Sequence, residues 1–453
     1  VEIMDYEFRV VVEKVSVSSQ KVVKRDTLKI YDIQKPESIL DFGLRHEEQI
    51  SLLSKVQSAF LAEQSVLIDS GHTECPKCGG KLSKLGFMES KFHAVFSDHK
   101  VRMQKHKCKN PECNWQGTPT TITVFGTDTH PDLVKLQCEQ GAVHSYRDAE
   151  DNLEKLNCQR RSANNHVQIQ RVTNQVSERL SQFNMHPPNP GELPVAASEL
   201  IVQVDGGHIA TKDQDKRSFE ALSGIVYRPS CIAVIDEHHR QISDKSCTIS
   251  ALRDQLVTMK LYLHHAAIKQ GLTAETHVTA LADGASSCWS VILALEPHCQ
   301  SLEPILDWFH IGKKFQNVKN ALGEVLAESL ESAKWNLWHG KADEAIQKLT
   351  MLRDNIADGK KRSQLKGLQE YLENNRNFLV NYDERKQAGK VFTSQVAECH
   401  IDSIINARHK RKQKMQWTRE GAHNVLQIRA MMASNEWEEN WLDFVLPDDV
   451  VAA

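Results

Sequence analysis

The feature that most restricts this chain is a set of four cysteines in two close pairs, Cys75-Pro76-Lys77-Cys78 and Cys108-Lys109-Asn110-Pro111-Glu112-Cys113. Thiolates gathered on two tight turns, 29 residues apart, suit the tetrahedral four-sulfur site of a zinc ribbon. A site filled by protein ligands alone is structural, with no open position for catalysis. Gly79-Gly80 after the first pair gives the backbone freedom such a knuckle needs. His72, His99 and His106 stand nearby as substitute ligands. Lys100, Arg102, Lys105, Lys107 and Lys109 recur along the strand entering the second pair, a basic ridge able to meet phosphates or simply a solvated face.

The other seven of the eleven cysteines are scattered. The start, Val1-Glu2-Ile3-Met4-Asp5-Tyr6-Glu7, lacks the basic-then-apolar order of a secretory leader, so a disulfide framework is not expected. No apolar run approaches the ~18 residues of a membrane span, and the expectation is a soluble, intracellular protein with no membrane partner. The 453 residues suggest about three domains. Lys+Arg 56 against Asp+Glu 59 leaves a net charge of −3, so any nucleic-acid surface must be a local patch.

Periodicity divides the chain. Residues 1–73 form a mixed segment with strand-like Phe8–Val12 and Thr27–Tyr31 and a helix from His46 to Leu67, to which no role attaches. Residues 74–126 are the ribbon, with short strands expected at Leu85–Phe87 and Phe92–Phe96. Residues 127–185 read as three helices, Pro131–His144, Tyr146–Leu156 and Arg160–Phe183. The turn Asn157-Cys158-Gln159 and the polar residues beyond it fit a helix-turn-helix or an ordinary helical packing module, and the neighbouring ribbon favours the DNA-binding one. Arg160, Arg161, Asn164 and Arg171 are its candidate DNA contacts. Four prolines in 186–199 make a linker, and the main domain boundary is expected there.

Beyond the linker the period changes to strands at Leu200–Val204, Glu220–Tyr227 and Cys231–Ile235. A helix follows, then a strand at Val278–Ala282, a second helix, and a strand at Pro304–Phe309. Residues 313–390 are helical throughout, a last core helix starts near Thr393, and 434–453 is an acidic tail. The fold class is therefore a multidomain α+β chain. Asp205 and Asp283 each close a strand and precede glycine, and carboxylates at neighbouring strand tips are how oxygen-loving divalent ions are held. Taken alone, an Asp-Gly after a strand is usually a turn.

Together these residues resemble a family. The strand order, Asp205, Asp283-Gly284-Ala285 with Trp289, and Leu306-Asp307-Trp308-Phe309-His310-Ile311 are similar to the ribonuclease-H-like core of DDE transposases from bacterial insertion sequences, above all the Kra-type group. Asp307-x-x-His310 is similar to the Cys/Asp-x-x-His signature of the Mutator-like relatives. Ser394–Glu398 and Arg411–Trp417 resemble the final helix that brings the catalytic Glu. The likeness runs from Leu200 to about Met432, over an α/β domain (200–433) interrupted by the helical insertion. It departs at Thr393-Ser394-Gln395, where the family often has glycines.

The resemblance implies a DNA transposase of the bacterial cytoplasm, associated with the nucleoid. Asp205, Asp283 and Glu398 would hold two Mg²⁺ or Mn²⁺ ions, with water and then a 3′-hydroxyl as nucleophile, supported by His310 and Trp308. One structural Zn²⁺ would sit in the ribbon. The partner would be double-stranded DNA, bound as a homodimer or larger assembly, with Arg408, Arg411, Lys412 and Lys414 beside the strand in the site. Glu324, Glu328, Glu331 and Asp402 compete with Glu398 as third carboxylate. The rivals are a structure-specific nuclease or resolvase of the same fold and a non-catalytic DNA-binding descendant.

Overall fold

In the computed structural model, residues 6–189, 191, 193–234, 240–323, 326–394, 402–410 and 415–446 are described. They group into two compact units, one up to Thr173 with the residues from Trp441 on, the other Asn174–Asn440. The division falls inside a helix and not at the proline-rich segment, because the second half of that helix is held within the second unit. There Tyr262 Oη donates to the Ser181 carbonyl at 3.1 Å, and the His265 ring nitrogen Nδ1 meets the Asn184 carbonyl at 2.9 Å.

The first unit begins with an antiparallel hairpin, β1 (Tyr6–Val15) and β2 (Val22–Ile33), followed by helix α1 (His46–Gly71). Next come β3 (Leu82–His93), β4 (Asp98–Cys108) and β5 (Gln116–Gly117), a three-stranded antiparallel sheet. Of the two short strands expected between the cysteine pairs, Leu85–Phe87 lies inside one long strand, β3, with a bulge between Lys84 and Gly86, whereas Phe92–Phe96 is strand only as far as His93 and then turns toward β4. On β4, His99, Val101 and Met103 are buried while Asp98, Lys100 and Arg102 are exposed, the alternation of a half-buried strand. Ser58 of α1 meets His99 at 2.9 Å, and Asp69 accepts the Gln104 amide at 3.0 Å. After α2 (Thr121–Phe125) come α3 (Pro131–Val143), α4 (Tyr146–Asn157) and α5 (His166–Asn184).

Helix α5 starts six residues later than its polar sequence suggests. Cys158 takes a left-handed turn at φ +55°, Ser162–Asn164 form a 3₁₀ turn, and Glu150 accepts the His166 amide at 2.9 Å to fix the new start.

The second unit is built on five strands: β6 (Glu199–Ala210), β7 (Ser218–Tyr227), and, after the small separate hairpin β8 (Ile232–Val234) and β9 (Arg240–Ile242), β10 (Ser246–Ser250), β11 (His277–Ala282) and β12 (Ser301–Leu306). Their order is β10-β7-β6-β11-β12, with β10, β7 and β6 antiparallel and β6, β11 and β12 parallel. The third strand of the sheet is Ser246–Ser250. Residues 232–234, expected in that place, pair only with 240–242. Trp308 and Phe309 are helical as well, because Asp307 caps a helix by accepting the Phe309 amide at 3.1 Å.

One face of the sheet (Leu200, Val202, Val204, Val226, Val278, Ala280) packs against α6 (Val257–Lys269) and α7 (Ser286–Ile292). The other carries Ile201, Ile225, Tyr227 and Leu281. The helical stretch after β12 is α8 (Trp308–Leu322), α9 (Ala327–Trp338), α10 (Ala342–Asp354), α11 (Gly359–Asn374) and α12 (Tyr382–Gln387). A π-turn at Asp402–Asn406 leads into α13 (Ala407–His409), and α14 (Arg419–Ala433) and α15 (Trp437–Val445) are the last described helices, so the acidic tail includes a helix with Trp437 buried. Among the described residues no helix is long and apolar enough to cross a membrane.

Candidate metal centre and candidate active site

The four cysteines of the first unit converge. Their sulfurs all lie within 4.8 Å of one another, with Cys75–Cys113 at 3.8 Å and Cys78–Cys108 at 3.5 Å. Four sulfurs at about 2.3 Å from a tetrahedral zinc stand about 3.8 Å apart, so the group could bind one structural zinc. Gly79, at φ +71°, donates to the Cys75 carbonyl and closes the knuckle. Gly80 must be small, since a Cβ there would sit 3.3 Å from Cys78 Sγ and 3.4 Å from Cys108 Sγ. The Gly80 amide and the Cys108 thiol bring the Cys78 thiol down to about 7, which favours the thiolate a metal needs. His72, His99 and His106 are not in this group.

The helix-turn-helix candidates separate. Arg161 is only 5% exposed. Its guanidinium bonds Asp98 and donates to the Ala94 and Val95 carbonyls at 2.8 Å, so it ties the α4–α5 turn to the ribbon. Asn164, 3% exposed, accepts from Gln137 at 2.9 Å. Both are internal struts and not a reading face, which corrects the expectation for these two. Arg160 is exposed but paired with Glu150 and Glu154, and Arg171 is exposed on α5.

The second unit brings together three aspartates, the first and last of which stand 102 positions apart in sequence. Ala282 pairs with Val204 on one side and Leu306 on the other, so Asp205, Asp283 and Asp307 come next at one level of three adjacent parallel strands. All three line one cleft with Gln203, Ser223, His310 and Ser394. Asp205 does not end its strand. β6 runs on to Ala210, paired with β7 alone, and the carboxylate sits where pairing with β11 stops.

Each carboxylate has a distinct setting. Asp205 accepts its neighbour's amide, Gly206, at 2.6 Å. Burial lifts its pKa above the ordinary carboxylate value, His310 opposes that shift, and Asp283 adds to it. Asp283 accepts the Ala285 amide at 2.8 Å, and its own carbonyl is held by Tyr371 Oη at 2.9 Å. Gly284, at φ +97°, lets that tyrosine approach, for a Cβ would lie 2.8 Å from Tyr371 Cε2. Asp307 is 1% exposed and fully engaged, taking the Phe309 and Ser394 amides on Oδ1 and the Ser394 hydroxyl on Oδ2. His310 Nε2 stands 3.6 Å from Asp307 and 4.0 Å from Asp205. Ser223 Oγ, facing Asp205 across the β6–β7 pair, is buried with no hydrogen-bond partner among the described residues.

Trp308 packs on Trp338 and Tyr382 with ring centroids 4.9 and 4.8 Å away, so it joins the helical insertion to the sheet and is not in the cleft. Trp289 is likewise structural, donating to Asn375 at 2.7 Å. Glu328 and Glu331 lie on α9 away from the cleft, with Glu331 paired to Lys334. Glu398, Arg411, Lys412, Lys414 and Glu324 fall outside the described residues. Arg408, expected as an exposed DNA contact, is 2% exposed with its guanidinium 4.7 Å over the Trp417 ring. Sequence singled out Asp205, Asp283, Asp307 and His310, placed Ser394 only at the start of the stretch resembling the final helix, and missed Tyr371, whose only signal was its type.

Among the described residues the cysteines are the one group of three or more metal-capable side chains that closes to within 4.8 Å. Asp205 and Asp283 supply two carboxylates on one face, the hard oxygen donors that Mg²⁺ and Mn²⁺ prefer, and the unpartnered Ser223 hydroxyl leaves polar capacity beside them. In comparisons with known proteins, the chain matches no protein-family model and no curated protein.

Proposed function

We propose that the chain is a DNA transposase whose second unit cleaves and joins DNA by divalent-metal phosphoryl transfer on a ribonuclease-H-like core. The observation that carries this reading is the placement of Asp205 and Asp283 at one level and on one face of adjacent parallel strands, open to a cleft. The sheet, three antiparallel strands followed by two parallel ones, agrees with the core that the sequence resembles.

Asp205, Asp283 and a third carboxylate from Glu398 would hold Mg²⁺ or Mn²⁺, and the ions would activate the attacking oxygen and stabilise the leaving one. The described residues on either side of Glu398 support its role. Ser394 is fastened to Asp307 in the cleft wall, and Ile405 packs on Gly207, two residues past Asp205, where a Cβ would meet it at 2.8 Å. Asp307, with both oxygens engaged, orients this frame and leaves the metals to the other carboxylates. His310 sits between Asp307 and Asp205 and steadies the latter's orientation.

The first unit would recognise the element's ends, with the ribbon as its rigid base and Arg171 as the exposed candidate contact on α5. Two ends brought together make a homodimer or larger assembly the natural working form.

The test is nicking of supercoiled plasmid carrying the DNA that flanks this gene, with Mg²⁺ or Mn²⁺. Asp205→Asn and Asp283→Asn should each remove cleavage while DNA binding persists. Equal cleavage of plasmids with and without the flanks would favour a structure-specific nuclease, and binding without metal-dependent cleavage would favour a non-catalytic DNA-binding protein.

A further inference from the structure

We propose that the outer surface of the paired helices α8 and α11 is a DNA-binding track that leads away from the aspartate cleft; this rests on the DNA-cleaving reading above. Three observations converge on it.

The two helices meet at the cleft. His310 of α8 lines it, and one turn further on Lys314 Nζ lies 4.8 Å over the ring of Tyr371, the α11 residue whose hydroxyl holds the Asp283 carbonyl. At the far end Lys361 of α11 donates to the Leu322 carbonyl of α8 at 3.2 Å, so the helices run antiparallel in contact along their length. With 15 residues in α8, the surface is about 22 Å long, room for about six base pairs.

Its charge is mostly positive. α8 carries Lys313, Lys314 and Lys319 and no acid, and α11 carries Lys360, Lys361, Arg362 and Lys366 with its acids, Glu370 and Glu373, confined to the cleft end, in a chain whose net charge is −3. The buried positions are Ile311, Phe315, Val318 and Leu322 on α8 and Leu365, Leu368 and Leu372 on α11, which turns the cations outward. Lys313, Lys314, Lys360 and Arg362 make no ion pair among the described residues, although Lys366 pairs with Glu370. Clustered cations without internal counter-charge are what a phosphate backbone binds.

The surface also keeps two glycines that packing does not need. Gly312 in α8 and Gly367 in α11 lie inside helices, where glycine is unfavourable, and a Cβ on either would meet nothing within 4 Å. Neither is small for the sake of an internal neighbour. Both leave room for an external backbone to approach.

The experiment uses the full chain with a fluorescein-labelled DNA duplex, reading anisotropy across a salt series. Lys313→Glu/Lys314→Glu and Lys360→Glu/Arg362→Glu are compared with Lys341→Glu/Lys348→Glu, at the N-cap and in the body of α10, and circular dichroism melts confirm folding. Alanine versions serve if a reversal fails to fold. The track variants should lose about tenfold or more in affinity at low salt, with a shallower salt slope, while the α10 control binds as wild type does. Wild-type affinity and slope in both track variants, in a protein that binds and nicks DNA, would overturn the track and leave the functional reading standing. Equal losses in the α10 control, or a preference for RNA of the same length, would also overturn it. A wild-type chain that neither binds nor nicks DNA would remove both.

Discussion

Ser394 donates its amide and its hydroxyl to the two carboxylate oxygens of Asp307, a residue 87 positions earlier. That pair of bonds fastens the chain returning from the helical insertion to the end of the strand that launched it. The Trp308 amide, donating to the Phe392 carbonyl at 3.2 Å, adds a third tie.

Ser394→Ala should therefore cost about 1.5–3 kcal/mol of stability, the range for a buried hydrogen bond to a charged group. Asp307→Ala should cost more, because it also removes the α8 cap and leaves the Ser394 amide unpaired, whereas Asp307→Asn keeps an N-cap acceptor. Urea unfolding ranks the three, and nicking should fall in the same order. An Asp307→Ala chain as stable as wild type would show the clamp to be inert.

Gly207→Ala tests whether the segment after Glu398 must lie close on β6. The added methyl would overlap Ile405 Cδ1 at 2.8 Å, so the π-turn has to move by several tenths of an ångström. Cleavage should drop severalfold while duplex binding holds. Restoration of cleavage by Ile405→Val in the same chain would tie the loss to that contact.

Arg161 gives a prediction about folding and pH. Arg161→Ala should destabilise the first unit by roughly 2–3 kcal/mol, less than for a fully buried pair because the Asp98 side chain is 38% exposed. Burial acts to raise the Asp98 pKa, but the hydrogen bonds from His93 and Arg161 outweigh it and bring it down to about 2. A depressed carboxylate stabilises fully above its unfolded value of about 3.9, and that contribution disappears as pH falls through about 2. Asp98→Asn should thus narrow its gap to wild type as pH drops from about 4 to 2, measured by thermal melts.

Metal analysis of the purified protein should find one zinc per chain, lost in Cys113→Ser. Chelation should unfold the ribbon sheet, seen as fast amide exchange in β3–β5, while exchange in β6–β12 stays protected. A zinc-free protein with a protected ribbon would remove the metal from the account.

Sequence by itself determined what depends on neighbours and spacing. Cysteine pairs on tight turns, the first with Gly79-Gly80 behind it, announce a thiolate cluster because a tight turn already brings two sulfurs close. Hydrophobic period located β6, β7, β11 and most helices, because burial on one face writes itself into every second or fourth residue. Asp283 was legible for the same reason, as a polar break at a strand end, and Asp205 as a polar break in an apolar run, although its strand continues to Ala210.

What only the tertiary structure decided are relations between distant residues. That Asp205, Asp283 and Asp307 share one level follows from strand register, which one-dimensional pattern does not encode. That Arg161, Asn164 and Arg408 are internal could not be read from their type, since a polar or charged side chain is buried only where the fold supplies hydrogen-bond partners, a carboxylate or an aromatic face to meet it. The third sheet strand is not legible because residues 232–234 (Ile-Ala-Val) carry the apolar signal while 246–250 (Ser-Cys-Thr-Ile-Ser) are mostly polar, and the choice between them rests on which one can reach the edge of β7. The oxygens of Asp307 went to Ser394 for a reason no local rule contains: a helical insertion had to be closed, and the nearest strong acceptor was already at the strand end.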